Sequence, residues 1–230
     1  VNNENQLQAV VDKYVRYQNS AKIIDPWEMK ISFLGTSDSS YYQVAEATHN
    51  YVIETHTRDH GYVGNFPAAR TLGGDTLYAI SNSASGSDVM SMANQGRNFI
   101  TYSGHGYTGG WAGPSFNSSN IRNLSDENVS PFVLGFACDT GDYRGNTTFA
   151  ETWTHHPAGA ILYWGSMDSS YWDEDDVLER RLYDGVFDGL REFGNILNNA
   201  LSQHWAHYGG GGKSKYYWET YHTFGDPSVR

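Results

Sequence analysis

The sequence predicts an α/β fold in which a mostly parallel central sheet is covered by helices on both faces. Short, continuous apolar runs alternate along the chain with stretches of helical periodicity, a pattern typical of strands buried on both faces. Glycine-containing polar segments follow several of these runs. Because functional residues of such sheets gather outside the C-terminal ends of the strands, those segments are the first place to look for a site.

The first half of the chain begins with a predicted amphipathic helix over residues 4–18, where apolar side chains recur at helical spacing. An apolar strand over 29–35 follows, and the Ser/Thr-rich loop after it supplies N-caps for a helix over 41–55. We expect a further strand over 66–72 and a helix over 87–94 that ends at Gly96.

The second half contains the most apolar runs. They predict strands over 98–102, 131–138 and 159–165. A Gly-, Ser- and Asn-rich crossing separates the first two, and loops of this length are often functional. Predicted helical segments complete this half, over 119–124, 147–153, 173–193 and 196–208. The glycine run over 209–212 is a flexible tip, so we expect one domain over residues 1–230, either alone or cut from a longer precursor.

Composition excludes several classes of function. A formal net charge of −11 and the lack of any Lys/Arg run argue against a nucleic-acid partner. No apolar stretch is long enough for a membrane span. Only 18% of residues are charged and 15% are aromatic, a surface style common in exported bacterial proteins, so we expect a secreted or cell-surface location.

Cys138 is the single cysteine, and it closes the apolar run over 131–138. His105 follows the preceding run, so both side chains leave neighbouring strand ends, and a histidine base is what a cysteine nucleophile needs. The N–H groups of Gly106 and Cys138 could stabilise the oxyanion of an attacked carbonyl. Three alternatives compete: a buried structural thiol, a zinc ligand without the usual spacing, and an aromatic carbohydrate-binding module.

Several separated motifs together resemble the gingipain family of cysteine peptidases, which belongs to the caspase-like and legumain-like clan. The motifs occur in the family's order, with the histidine before the cysteine. They are Ile100-Thr-Tyr-Ser-Gly-His-Gly106, Trp111, Pro131-Phe-Val-Leu-Gly-Phe-Ala-Cys138, Gly141-Asp-Tyr143 and Phe224-Gly-Asp-Pro-Ser228. The resemblance implies a caspase-like sandwich acting as a cysteine endopeptidase on protein or peptide substrates.

The resemblance also implies roles for individual residues. Cys138 is the nucleophile and His105 the general acid or base, with Gly106 N–H and Cys138 N–H as the oxyanion hole. An acidic residue after the first strand orients the histidine in this family, and Asp38 is the candidate here. No cofactor is required for the chemistry, a structural calcium ion without assigned ligands is compatible, and a prodomain inhibitor is expected.

Specificity is expected to depend on acidic residues near two loops. The arginine-directed branch places an aspartate where this chain has only Glu46, whereas the lysine-directed branch uses an acid after the last core strand. Trp172 is then a pocket wall and Asp175 or Asp176 the counter-charge, with Trp111 also at the substrate site. We therefore expect cleavage after Lys or Arg.

Two other interpretations remain open at this point. The four acids over 173–176 also stabilise the first turn of a helix by themselves. The chain could further be a catalytically silent adhesion or binding module that has retained the peptidase fold, or a latent zymogen fragment that needs processing.

Overall fold

The computed structural model describes residues 3–20, 26–145 and 147–230. Its strands are short, and five of the eleven within these residues are fully buried. In chain order they are β1 Ile31–Gly35, β2 Val63–Gly64, β3 Thr71–Leu72, β4 Asp75–Tyr78, β5 Phe99–Ser103, β6 Gly106–Tyr107, β7 Gly110–Trp111, β8 Phe116–Asn117, β9 Phe132–Phe136, β10 Leu162–Ser166 and β11 Tyr221–Gly225.

A six-stranded sheet forms the centre, with the order β11-β10-β9-β5-β1-β4. All neighbours in it run parallel except β10 and β11, which are antiparallel. Strands β2 and β3 pair in a small hairpin, and β6, β7 and β8 form a separate three-stranded sheet. The parallel core confirms the predicted fold class.

The helices lie on both faces of the central sheet. They are α1 Glu4–Ser20, α2 Tyr42–Val52, α3 Gly86–Asn94, α4 Ser118–Ile121, α5 Phe149–His155, α6 Trp172–Phe187, α7 Phe193–Tyr208 and α8 Gly212–Thr220. One core cluster contains residues of α2, α6, α7 and α8, and the other contains residues of α3, α4 and α5. Alternate residues of the strands supply the two clusters, as Phe132 and Leu134 against Val133 in β9.

The predicted strand over 66–72 is wrong except for its last two residues. Pro67 and the left-handed Arg70, with φ of 59°, place a turn in the first part. Strand β4, at one edge of the central sheet, was not predicted, and it begins with the buried Asp75. The Asp75 carboxylate accepts hydrogen bonds from Arg97 Nε at 2.6 Å and Phe66 N–H at 2.9 Å, which makes burial of the charge possible.

Two boundaries in the C-terminal third also differ from the prediction. Helix α6 ends at Phe187 rather than near residue 193, and Gly189 follows it with φ of 89°. The glycine run ends α7 at the left-handed Gly209 and leads into α8 at Gly212. Helix α8 then delivers the chain to β11, the antiparallel edge strand that the sequence did not predict.

Candidate active site

The two candidate catalytic residues leave adjacent parallel strands at the same edge of the sheet. Ser103, the last residue of β5, is in register with Phe136, the last residue of β9. Beyond the strands, Gly104 N–H still donates to Phe136 O at 3.1 Å. The segments that carry His105 and Cys138 therefore start side by side, as expected from the strand-end positions.

The backbone of His105 is held by two hydrogen bonds to its carbonyl oxygen, while its side chain faces solvent. Its carbonyl oxygen accepts hydrogen bonds from the Tyr102 hydroxyl at 2.7 Å and Ala112 N–H at 2.9 Å. A Cβ at Gly104 would lie 2.5 Å from the Tyr102 hydroxyl, so only glycine permits this approach. The imidazole is 57% exposed, a position from which it can reach a substrate.

Asp38 lies within hydrogen-bonding distance of the imidazole. It follows β1, the neighbour of β5, and its Oδ2 lies 2.7 Å from His105 Nε2. Ser40 N–H, the strongest influence, and His105 together hold the pKa of Asp38 below its usual range. Because the carboxylate accepts the Nε2 proton, Nδ1 is the nitrogen left for proton transfer. No described residue is recorded as hydrogen-bonding Nδ1.

Cys138 is half-buried beside the loop that follows β10. Ser170 N–H donates to Cys138 Sγ at 3.3 Å, and the thiol faces Ser170 O at 3.7 Å. Among the described residues, no hydrogen bond joins Sγ to His105. Such a gap is compatible with a catalytic pair, because catalytic hydrogen bonds often tighten only when substrate binds.

Gly106 lies against the backbone of Cys138. A Cβ at this position would be 2.6 Å from Cys138 O and 2.5 Å from Thr140 Cγ2, so a side chain does not fit. Ala112 N–H bonds His105 O, and the next pair of the hairpin is Gly106 with Trp111. Because hydrogen-bonded and non-bonded pairs alternate, Gly106 N–H points away from β7.

Trp172 lies next to the histidine. Its ring packs edge-on against His105 with centroids 5.4 Å apart, and it stacks on Tyr41 at 5.2 Å. The structure thus places this predicted substrate residue beside His105. Tyr41, which is exposed at the start of α2, was not singled out from the sequence.

Asp175 lies in the first turn of α6, next to the loop that follows β10, and it is buried. Only 5% of the residue is exposed, and its carboxylate accepts hydrogen bonds from the hydroxyls of Ser170, Tyr217 and Tyr221 at 2.7, 2.9 and 2.5 Å. Burial raises its pKa to about 7, although these three donors lower it. Its spacing of three and seven from the buried Leu178 and Leu182 was the sequence signal for an inward position.

The other predicted substrate residues are already engaged within the fold. Asp176 pairs with Arg180 at 2.8 Å, and the buried Glu46 accepts the Ser81 hydroxyl at 2.5 Å. Trp111 is completely buried in the core. The geometry therefore does not bring these three side chains to the site's surface.

A cavity of about 530 Å³ adjoins the loop that contacts Cys138. It is lined by Tyr171, Glu174, Gly212, Lys213, Tyr216 and Tyr217. Glu174 is 3% exposed, and its carboxylate forms an ion pair with Lys213, whose side chain is 66% exposed. Sequence reasoning did not single out Glu174, because four consecutive acids do not reveal which one lines a cavity.

Within residues 3–20, 26–145 and 147–230, no three His, Cys, Asp or Glu side chains form a group that could hold a metal ion. The described residues therefore supply no carboxylate cluster to fit the calcium ion implied by the resemblance. In the same part of the chain, no helix is both long and apolar enough to cross a membrane.

The known sequences that this chain is similar to include gingipains of both the Lys and the R type. Lys-gingipain of Porphyromonas gingivalis is 26% identical over 258 residues, which cover 97% of this chain and 14% of the relative. Gingipain R2 of the same organism is 20% identical over 237 residues, covering 97% of this chain and 30% of that protein. The chain thus spans only a minor part of the curated relatives it matches.

Solved structures share the fold. The Arg-specific cysteine proteinase gingipain R superposes with a TM-score of 0.83 at 20% identity, over 100% of this chain and 53% of that one. The complex of the P. gingivalis RgpB pro- and mature domains gives a TM-score of 0.81 at 19% identity, over 100% and 54%. The sequence model described as Peptidase family C25 matches residues 1–230. The chain therefore belongs to peptidase family C25.

Proposed function

We propose that this chain is a cysteine endopeptidase unit in which Cys138 is the nucleophile and His105 the general acid and base. The observation that carries the proposal is the 2.7 Å hydrogen bond between Asp38 Oδ2 and His105 Nε2. His105 follows β5, which is the neighbour of β9, the strand that leads to Cys138. A structural histidine has no need of an oriented, exposed ring. An acid–base catalyst does.

The proposed reaction has two halves. The Cys138 thiolate attacks the scissile carbonyl carbon, and the oxyanion accepts hydrogen bonds from Gly106 N–H and Cys138 N–H. Protonated His105 gives its Nδ1 proton to the leaving amine, so the C–N bond breaks and a thioester forms. His105 then takes a proton from water, whose oxygen attacks the thioester and releases the acid and the thiolate.

We further propose a preference for Lys or Arg at the P1 position, with Glu174 as the acid that recognises the cation. Glu174 is almost fully buried, lines the cavity beside the Cys138 loop and already binds the ammonium group of Lys213. A desolvated carboxylate favours a cationic side chain over an apolar one. Asp175 is less suited to this role, since three hydroxyl groups hold it.

A panel of fluorogenic peptides that differ only at P1 tests both proposals. The wild type should cleave after Lys or Arg at least about tenfold faster than after Ala or Leu, and Cys138→Ala should cleave none of them. Glu174→Gln should lose the preference, whereas Lys213→Ala should lower KM for the cationic peptides because it removes an internal competitor. Asp173→Asn, at an exposed acid of the same helical turn, is the matched control. Equal rates for Lys, Ala and Leu would exclude the P1 proposal.

We also propose the cofactor requirement, the pro-segment and the cellular location of this peptidase. The hydrolysis needs no cofactor, and bound calcium would act only on stability, which a chelator titration followed by Tm would detect. The solved complex of the RgpB pro- and mature domains supports an inhibitory pro-segment for this chain as well. The sparsely charged surface supports a secreted or cell-surface location in a bacterium, which fractionation would test.

A further inference from the structure

The segment that follows β10 runs alongside the candidate nucleophile and is hydrogen-bonded both to Cys138 and to the next residue, Asp139. Asp139 N–H donates to Asp168 O at 3.2 Å, and Ser170 N–H donates to Cys138 Sγ at 3.3 Å. A hydrogen bond to the charged form of a titratable group favours that form. The thiol also donates to Ser170 O, but at the longer distance of 3.7 Å, so the amide is the closer partner and is placed to stabilise a thiolate at Cys138.

The side chain of Ser170 ties this amide to the interior. Its hydroxyl donates to Asp175 Oδ2 at 2.7 Å, and the other carboxylate oxygen accepts the hydroxyls of Tyr217 and Tyr221. The Tyr217 hydroxyl also accepts Tyr171 N–H at 2.9 Å. One buried carboxylate thus fixes two consecutive residues of the loop, and both bonds hold the Ser170 amide in place.

We propose that Ser170 is a positioning residue: its hydroxyl bond to Asp175 keeps its N–H on Cys138 Sγ and so favours the reactive thiolate. The proposal rests on the assignment of Cys138 as the nucleophile. It gives Asp175 an interior role in place of the substrate contact expected from the sequence. Charged hydrogen bonds depend strongly on distance and angle, so a small displacement of the loop is sufficient to weaken this one.

Other titratable groups lie close to Cys138 and Asp175, and the variants below leave them unchanged. Tyr102 and Tyr216 lie close enough to Cys138 to interact with it electrostatically, and Glu179 interacts with Asp175 in the same way. The neighbour Ser169 offers a matched control. It is exposed, and no hydrogen bond of its hydroxyl is recorded within the described part of the chain.

The test measures the rate of Cys138 alkylation by iodoacetamide as a function of pH, for the wild type, Ser170→Ala and Ser169→Ala. In Ser170→Ala, we expect the midpoint of the rate profile to rise by about half to one pH unit and the rate at pH 7 to fall about three- to tenfold. Ser169→Ala should match the wild type. Ser170→Thr, which keeps the hydroxyl, should restore most of the rate.

Tyr217→Phe is a second test variant if Ser170→Ala folds poorly. It removes the hydroxyl that is hydrogen-bonded to Tyr171 and Asp175, and it leaves Ser170 unchanged. Its midpoint should shift in the same direction. Unchanged profiles for the folded variants would overturn the proposal. Alkylation needs no substrate, so it tests the positioning role separately from peptidase activity. If the profile shifts but the protein cleaves no peptide, only the proposed peptidase function is rejected. Active variants with unshifted profiles would reject the positioning role alone.

Discussion

Replacing Asp175 by asparagine is expected to change how the free energy of unfolding depends on pH. Burial raises the pKa of this carboxyl from its ordinary 3.8 to about 7 in the folded protein. Between these two values, the folded state keeps a proton that the unfolded chain has already released. The stability of the wild type therefore decreases as pH rises through the window from about 4 to 7, whereas asparagine does not titrate.

The magnitude follows from the width of the window. Each pH unit inside it changes the free energy of unfolding by about 1.4 kcal/mol. From pH 5 to pH 8, the stability of Asp175→Asn minus that of the wild type should thus increase by about 2.5 kcal/mol. Other groups that titrate in this range, such as Lys13 and His204, contribute equally to both proteins and cancel in the difference.

Denaturant titrations followed by tryptophan fluorescence at pH 5, 6, 7 and 8 measure this difference directly. Asp173→Asn is the control, since its carboxyl is exposed in the same helical turn. For that variant, the difference from the wild type should stay nearly constant with pH. A constant difference for Asp175→Asn as well would refute the conclusion that this buried carboxyl titrates near neutral pH.

Two further predictions concern Lys13 and Asp38. The buried Lys13 donates from Nζ to three carbonyl oxygens at and beyond the end of α5, at 2.8–2.9 Å. Lys13→Met should therefore cost about 2–4 kcal/mol in denaturant titration, and an unchanged midpoint would contradict this reasoning. Asp38→Asn should lower kcat/KM for peptides about tenfold or more, because the histidine loses its orientation. Its Tm should not change measurably, and full activity would show that the hydrogen bond between Asp38 and His105 has no catalytic role.

The sequence was sufficient to locate the strand ends at the site. The runs that end at Ser103 and Phe136 are continuous and apolar, and strands buried on both faces leave that pattern. Asp38, which the family resemblance indicated as the acid after β1, lies 2.7 Å from His105 Nε2, and its catalytic role stays a prediction. Strand β4 was missed because its first residue is an aspartate, and the groups that stabilise the buried carboxylate, Arg97 and the amide of Phe66, lie elsewhere in the chain.

The substrate side of the site was harder to predict. Acids at 173–176 occupy one turn of α6, and their chemistry does not distinguish the exposed Asp173 from the buried Asp175. The partners that decide between them come from α8 and β11, about forty residues later. Glu174 likewise has its partner, Lys213, in α8. Its environment therefore depends on tertiary packing and not on local sequence pattern.

The central claim is that Cys138, assisted by His105, is the nucleophile. The chain has one cysteine, so a thiol-directed label has a single target. The decisive measurement is residual peptidase activity against the fraction of Cys138 alkylated, counted by intact-mass spectrometry. We predict that activity falls linearly to zero at one label per chain, and that His105→Ala slows labelling at neutral pH. Activity that persists in fully labelled protein, or in Cys138→Ala, would contradict the account.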